Sequence, residues 1–404
     1  MRTFEVKRRM SPFEKSAFGE SNMHIQLAIQ VDERKCISDI VSKIKNNFIP
    51  LGIQAKNDYL VYNNKGSQDH TLPNDINNCE EACNWIYNNK HPNNVGMATL
   101  GFNDKYIAIT SNHMISDGGL LKSIIDIIHD RSTLKYSHPL PIAPDESLYH
   151  SVLNTDDDIH SVDPSQLTTV VSRFQNNNRI NDNEYQECRF QNAIIDLNRL
   201  SKGQLTDKLW AGLLLSMCAY NGKIEKLGVA TCIDMRARTD LSLSLSNCCL
   251  YSILSHTAPF SKDQTLKELT NSLRNNMQKR ITNGEMTSFF KPSAMIYENE
   301  GLSAEISNVG SFEIKKPISD AWMQIKFNEK YNPAVLSLLT FGIKDGVKND
   351  LVLRLRYPPS RLKDEEAMLL VNSIKFSVLN LPLDTNIEKA FQEIQTFQNL
   401  NSSK

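Results

Sequence analysis

His113 and Asp117, set four apart in His113-Met114-Ile115-Ser116-Asp117-Gly118-Gly119, are the side chains of this 404-residue chain best placed to do chemistry. A neutral imidazole near its own pKa can take a proton from a hydroxyl or an amine at pH 7, and few other side chains can. The carboxylate reads as scaffold: in the first turn of a following helix it would meet the positive end of the helix dipole. Gly118 and Gly119 would leave space beside the histidine and admit turn conformations that a Cβ forbids. A structural histidine beside an ordinary aspartate also fits these seven residues taken alone.

The flanking patterns say how the pair is held. Residues 106–110 read as a buried strand, paired through the Asn103-Asp104-Lys105 turn with residues 97–102. Leu120, Leu121, Ile124, Ile125 and Ile128 recur at helical spacing, so a helix begins directly after the two glycines and His113 falls at a strand-to-helix corner. A strand is expected over 24–31 and an amphipathic helix over 37–48, with Ile37, Ile40, Val41 and Ile44 on one face. The second half reads as helices over 205–220, 266–281 and 364–379, with strands over 228–233, 322–327, 334–341 and 351–357. This mixture implies an α/β protein built as α+β sandwich halves, not a doubly wound nucleotide fold.

Chains beyond about 250–300 residues usually split their cores, so two domains of about 200 residues are expected. The composition shifts to polar over 150–183, marking a crossover at 166–185 between an N-terminal domain of 1–165 and a C-terminal domain of 186–404. A formal net charge of -1 offers no basic field for nucleic acid. The basic start of the chain lacks the apolar run of a signal peptide, and no 18 uncharged apolar residues follow one another, so a cytoplasmic protein without a transmembrane segment is expected. Eight cysteines show no zinc-type spacing, and adjacent Cys248 and Cys249 read as strand residues facing opposite ways. The Asp156-Asp157-Asp158 triplet beside His160 reads as a solvated linker, so no metal site is expected. Dinucleotide, Walker, zinc-protease and hydrolase-elbow motifs are all missing.

Ser111-Asn112-His113-Met114-Ile115-Ser116-Asp117-Gly118-Gly119 resembles the H-x-x-x-D-G signature of the chloramphenicol-acetyltransferase-like superfamily. That superfamily takes in BAHD acyltransferases, alcohol acetyltransferases, mycobacterial polyketide-associated acyltransferases and condensation domains of peptide synthetases. Three further stretches follow in the family order. Arg9-Met10-Ser11-Pro12-Phe13-Glu14 is similar to the opening arginine-to-glutamate segment of the alcohol acetyltransferase and polyketide-associated branches. Cys232-Ile233-Asp234-Met235-Arg236 with Ser246-Asn247 resembles the strand-borne arginine and later Gly-Asn of BAHD enzymes, with Ser246 in place of the glycine. Ser307-Asn308-Val309-Gly310 is similar to the Ser-Asn-Leu-Gly of the alcohol acetyltransferase branch. The BAHD Asp-Phe-Gly-Trp-Gly signature is absent, which favours the alcohol acetyltransferase or polyketide-associated branches.

The resemblance implies two similar domains with a tunnel at their interface, and acyl transfer from an acyl thioester to an alcohol or amine without an acyl-enzyme. It implies His113 as general base, with Asp117 and Gly118 completing the motif and Asp117 paired with an arginine of the second domain. Arg236 is the candidate, although Arg238, two residues on, would share its face in a strand. Ser307, Asn308 and Asn247 are the candidates for steadying the oxyanion or lining the site, with a structural turn as the alternative. Coenzyme A thioester is expected as a substrate, not a resident cofactor, with an acyl carrier protein as the alternative donor. Because fused halves can build the site alone, a monomer is expected. A non-catalytic binding module of the same fold is the rival reading.

Overall fold

A computed structural model of the chain describes residues 5–11, 14–15, 23–63, 69–90, 96–131, 164–171, 186–200, 205–236, 249–286, 301–328 and 335–402. In chain order its elements are β1 (Glu5–Arg9), β2 (His24–Val31), α1 (Ile37–Asn47), β3 (Ile53–Lys56), β4 (Tyr59–Asn63), β5 (Asp69–Thr71), α2 (Cys79–Lys90), β6 (Ala98–Phe102), β7 (Tyr106–Asn112) and α3 (Gly118–Ile128). There follow β8 (Thr169–Val170), β9 (Arg189–Asp196), α4 (Leu205–Asn221), β10 (Leu227–Asp234), β11 (Tyr251–Ala258), α5 (Leu266–Thr282), β12 (Leu302–Glu313), β13 (Ile318–Lys326), β14 (Val335–Lys344), β15 (Asn349–Tyr357), α6 (Asp364–Asn380) and α7 (Ile387–Asn401).

Two lobes form around two larger sheets. The first sheet has the order β13-β2-β7-β6-β5 and the second β11-β10-β12-β14-β15-β9, with β8 beside β12; β1, β4 and β3 make a small third sheet. In the second sheet β10, β12 and β14 are parallel while the outer pairings are antiparallel. Alternation along each strand assigns the faces. On β12, Leu302, Ala304 and Ile306 enter the core of the second lobe, which helices α4, α6 and α7 complete. The alternate residues Glu305 and Ser307 turn toward the first lobe and line a cavity. Strand β14 is apolar on both faces: Leu336 and Leu338 join the second-lobe core, while Leu339, Phe341 and Ile343 join the core of the first lobe. Helix α4 is apolar nearly all round, as a helix enclosed by other elements must be.

One strand of the later half joins the first sheet. β13, within the 186–404 span expected as the second domain, pairs antiparallel with β2 from Ile318↔Val31 to Lys326↔His24. The reason is apolar: Ala321 and Met323 fill the first-lobe core beside Leu27 and Ile29. At the boundary, β8 pairs with β12 of the second lobe, and residues 172–185 of the expected crossover lie outside the described residues. Among the described residues no helix is long and apolar enough to cross a membrane.

Candidate active site

β7 pairs with β6 through the expected hairpin and with β2 on its other side, and it is buried along its whole length. His113 follows its last residue. The main-chain N–H of His113 donates to the Met23 carbonyl at 2.9 Å, which ties the corner to the start of β2. Ser111 and Ser116 hydroxyls meet at 2.6 Å, and Asn112 Oδ1 accepts from Met114 N at 2.9 Å, so the loop is closed by its own side chains.

The imidazole is 7% exposed. It packs edge-on to the Tyr251 ring at 5.1 Å between centroids, and its Nδ1 lies 3.9 Å from Cys249 Sγ. Burial pushes the His113 pKa below the ordinary histidine range, against the opposing pull of the Asp117 charge. The ring is therefore neutral at pH 7, the state a general base needs. Burial likewise pushes the Tyr251 phenol and the Cys232 thiol upward, so both stay uncharged beside it.

Asp117 caps α3 instead of lying in its first turn, as the sequence reading had it. Its extended backbone lets Oδ1 accept from Leu120 N at 2.9 Å. The carboxylate also accepts from Leu250 N at 2.6 Å and meets Arg236 Nη2 at 2.9 Å. Burial alone would raise its pKa, but the Arg236 charge and these N–H donors hold it below the ordinary carboxylate range. Arg236 is further bound to Asp234 at 3.1 Å. Asp117 and Arg236 thus join the two lobes behind the imidazole.

Of the two uses expected of the glycines, space and turn conformation, the geometry at both positions is one of space. Neither Gly118 nor Gly119 is among the residues with positive φ, so backbone freedom is not why they are there. Contact is the reason: a Cβ on Gly119 would sit 2.6 Å from both Arg236 Nη1 and Asp234 Oδ2, and one on Gly118 would sit 2.9 Å from Val309 Cγ2.

A cavity of about 250 Å³ opens between the lobes with His113 in its wall. The first lobe lines it with Met23, Ile25, Met323 and Ile325, and the second with Cys232, Tyr251, Ile253, Glu305, Ser307 and Arg356. Ser307 faces Cys232 across the β10–β12 register. Asn308 also reaches the cavity, but it is exposed and its Oδ1 accepts from Gly310 N at 3.0 Å, a turn closed where β12 shifts register and Gly310 takes φ +83. Asn247 and Arg238 lie outside the described residues, as does Cys248; Cys249 precedes β11 and is buried. Near the start of the chain, Arg8, the residue before that opening motif, forks onto Glu14 at 2.6 and 2.7 Å. Among the described residues no three His, Cys, Asp or Glu side chains group to hold a metal.

Tyr251, Glu305, Ser337 and Arg356 were not singled out from the sequence, although the strand alternation in Leu302-Ser303-Ala304-Glu305-Ile306-Ser307 and Leu353-Arg354-Leu355-Arg356 was there to read. A polar strand face looks the same in sequence whether it meets water or a cavity.

The two-lobed arrangement is shared with solved structures. No family model matches the sequence, and no curated protein matches it. In fold, the chain is similar to polyketide synthase associated protein 5 from Mycobacterium tuberculosis, at 12% identity and a TM-score of 0.63, covering 93% of this chain and 98% of that one. It is similar to the first condensation domain of the calcium-dependent antibiotic synthetase, bound to a substrate analogue, at 9% identity and a TM-score of 0.64, over 95% and 98% of the two chains. A mutant starter condensation domain of rhizomide synthetase in complex with C8-CoA and Leu-SNAC aligns at 11% identity and a TM-score of 0.61, over 95% and 96%. The chain therefore has the two-lobed fold of the condensation-domain and chloramphenicol-acetyltransferase-like proteins.

Proposed function

We propose that this protein is an acyltransferase that moves an acyl group from an acyl thioester, with acyl-CoA as the expected donor, to an alcohol or amine. One observation carries this reading: a buried imidazole of depressed basicity stands in the wall of a cavity between two sheets, while the carboxylate of its motif is turned away onto Arg236. An aspartate so engaged positions the backbone and does not share the proton. With Nδ1 beside Cys249, Nε2 is the nitrogen left to receive it.

In the proposed step the acceptor's heteroatom attacks the thioester carbonyl while His113 takes its proton. The tetrahedral oxyanion collapses, the carbon–sulfur bond breaks, and the imidazolium returns the proton to the departing thiolate. The products are an ester or amide and a free thiol. Ser307, whose hydroxyl lines the cavity, is the proposed oxyanion donor, and Asn308 is the second candidate through its amide N–H. A carrier-protein thioester in place of acyl-CoA is the second donor, suggested by the likeness in fold to condensation domains; the condensation domain solved with C8-CoA favours acyl-CoA.

His113→Ala tests the proposal. With a panel of acyl-CoAs and pooled alcohols and amines, mass spectrometry of products should show turnover falling by about 10²–10⁴-fold while the unfolding midpoint stays near that of the parent. Undiminished turnover would remove the base assignment. An unaltered protein that transfers no acyl group from CoA or carrier thioesters would instead favour a binding module of the same fold.

A further inference from the structure

Resting on the acyl transfer proposed above, we infer that Glu305, Ser337 and Arg356 form a subsite that recognises an amide group of the substrate. These three side chains are direct cross-strand neighbours on β12, β14 and β15, paired Glu305↔Ser337 and Ser337↔Arg356, and all three line the cavity that holds His113. Both ions are 7% exposed. The Ser337 hydroxyl donates to Glu305 Oε1 at 2.6 Å, but Arg356 Nη2 stops 3.8 Å short of the same oxygen, beyond hydrogen-bond reach. Among the described residues no acceptor lies within hydrogen-bond distance of the Arg356 guanidinium, its Nε is buried without a partner, and the group packs on the Phe327 ring at 4.7 Å. Arg354, two residues earlier and equally buried, is the contrast: it donates to Glu80, Asn192 and Gln324.

A buried guanidinium without a hydrogen-bonded acceptor is costly unless something else completes it, and this one lines the cavity that holds His113. The charge of the site selects what that is. Glu305 and Arg356 cancel, so a carboxylate would add a second anion beside Glu305 and an ammonium a second cation beside Arg356. A hydrocarbon would leave every donor unspent. An amide satisfies both without net charge: its carbonyl accepts from Arg356 and its N–H donates to Glu305. Two sources offer one near a reacting carbon, the thiol arm of the donor, as in a cysteamine-type thioester, and the acceptor.

The test uses the full chain and two matched series. In the donor series, acyl thioesters of N-acetylcysteamine are compared with thioesters of an alkanethiol of equal length. In the acceptor series, amines or alcohols bearing an amide are compared with alkyl and carboxylate analogues. The parent should favour the amide member of one series by about tenfold or more in kcat/KM, and that series names the source. The preference should fall to about onefold in the paired variant Glu305→Gln/Arg356→Met, which removes both charges together and whose melting curve checks its fold. A preference equal in parent and variant, no amide preference in either series, or a carboxylate analogue outperforming the amide overturns the assignment. If the parent turns over nothing, acyl transfer falls on its own, and calorimetry with N-acetylcysteamine and the amide-bearing acceptors decides the subsite. Heat in the parent that vanishes in the variant supports it, and equal heat or none in both refutes it.

Discussion

Burial sets the behaviour of His113 more than any single partner does. Because its pKa is lowered, kcat/KM should stay flat through the ordinary histidine range near about 6.5 and fall only at more acid pH. A pH profile with its acid limb at or above that value would contradict the burial argument. The same shift bears on stability. The unfolded chain protonates His113 at a pH where the folded chain does not, so stability is lost as pH falls through the window between the two values. Asp117, whose folded pKa is also lowered, takes stability away at still lower pH, below the ordinary carboxylate value. Replacing Asp117 by Asn strands a guanidinium whose side chain is 18% exposed, although Asp234 continues to hold it. We expect a loss of about 3 kcal/mol in denaturant unfolding, the lower end for a broken buried pair, together with reduced turnover. A variant as stable and active as the parent would show that the pair does not position the site.

At the scale of elements, the corner works because strand, cap and helix each constrain the same few residues. β7 is held on both edges, its loop is closed by Ser111–Ser116, and Asp117 starts α3 while reaching into the other lobe. Gly119 is the narrow point. Gly119→Ala would force the Arg236–Asp234 pair to move off the helix start, so it should lower kcat/KM by about tenfold while costing only about 1–3 kcal/mol in unfolding free energy. An alanine variant with full activity would mean the pair has room to shift. The elements around the site were legible because each carries a strong period. The β6–β7 hairpin, α3, and the strands and helices expected after residue 205 occur within a few residues of where the periodicity puts them. β9, β11, β12 and α7 are not among those expectations, although Ile387, Ala390, Phe391 and Ile394 recur at helical spacing in α7; in β12 the turn-like Ser307-Asn308-Val309-Gly310 breaks the alternation that Leu302, Ala304 and Ile306 begin.

Across the whole molecule, β13 makes the lobes interdependent. It covers the edge of β2, whose Ile25, Leu27 and Ile29 belong to the first-lobe core. Arg354 adds a polar tie, binding Glu80 of α2, Asn192 of β9 and Gln324 of β13, while Gln324 continues to Gln26 and Asn84. A fragment of residues 1–185 should therefore expose an apolar sheet edge and aggregate, while the intact chain melts in one cooperative transition. A soluble, folded fragment giving its own sharp transition would show that the first lobe closes without the borrowed strand.

By itself, the sequence determined most of the local elements around the site and the corner that presents His113, because hydrophobic period and turn chemistry act over a few neighbours. The pairing of Asp117 with Arg236 followed only from resemblance, since no local rule joins residues so far apart. The tertiary structure alone decided that strand 318–326 serves the other lobe and that the polar face bearing Glu305 and Arg356 meets a cavity instead of water. Sheet pairing and enclosure depend on what arrives from the rest of the chain, and neither leaves a signature in the residues it uses.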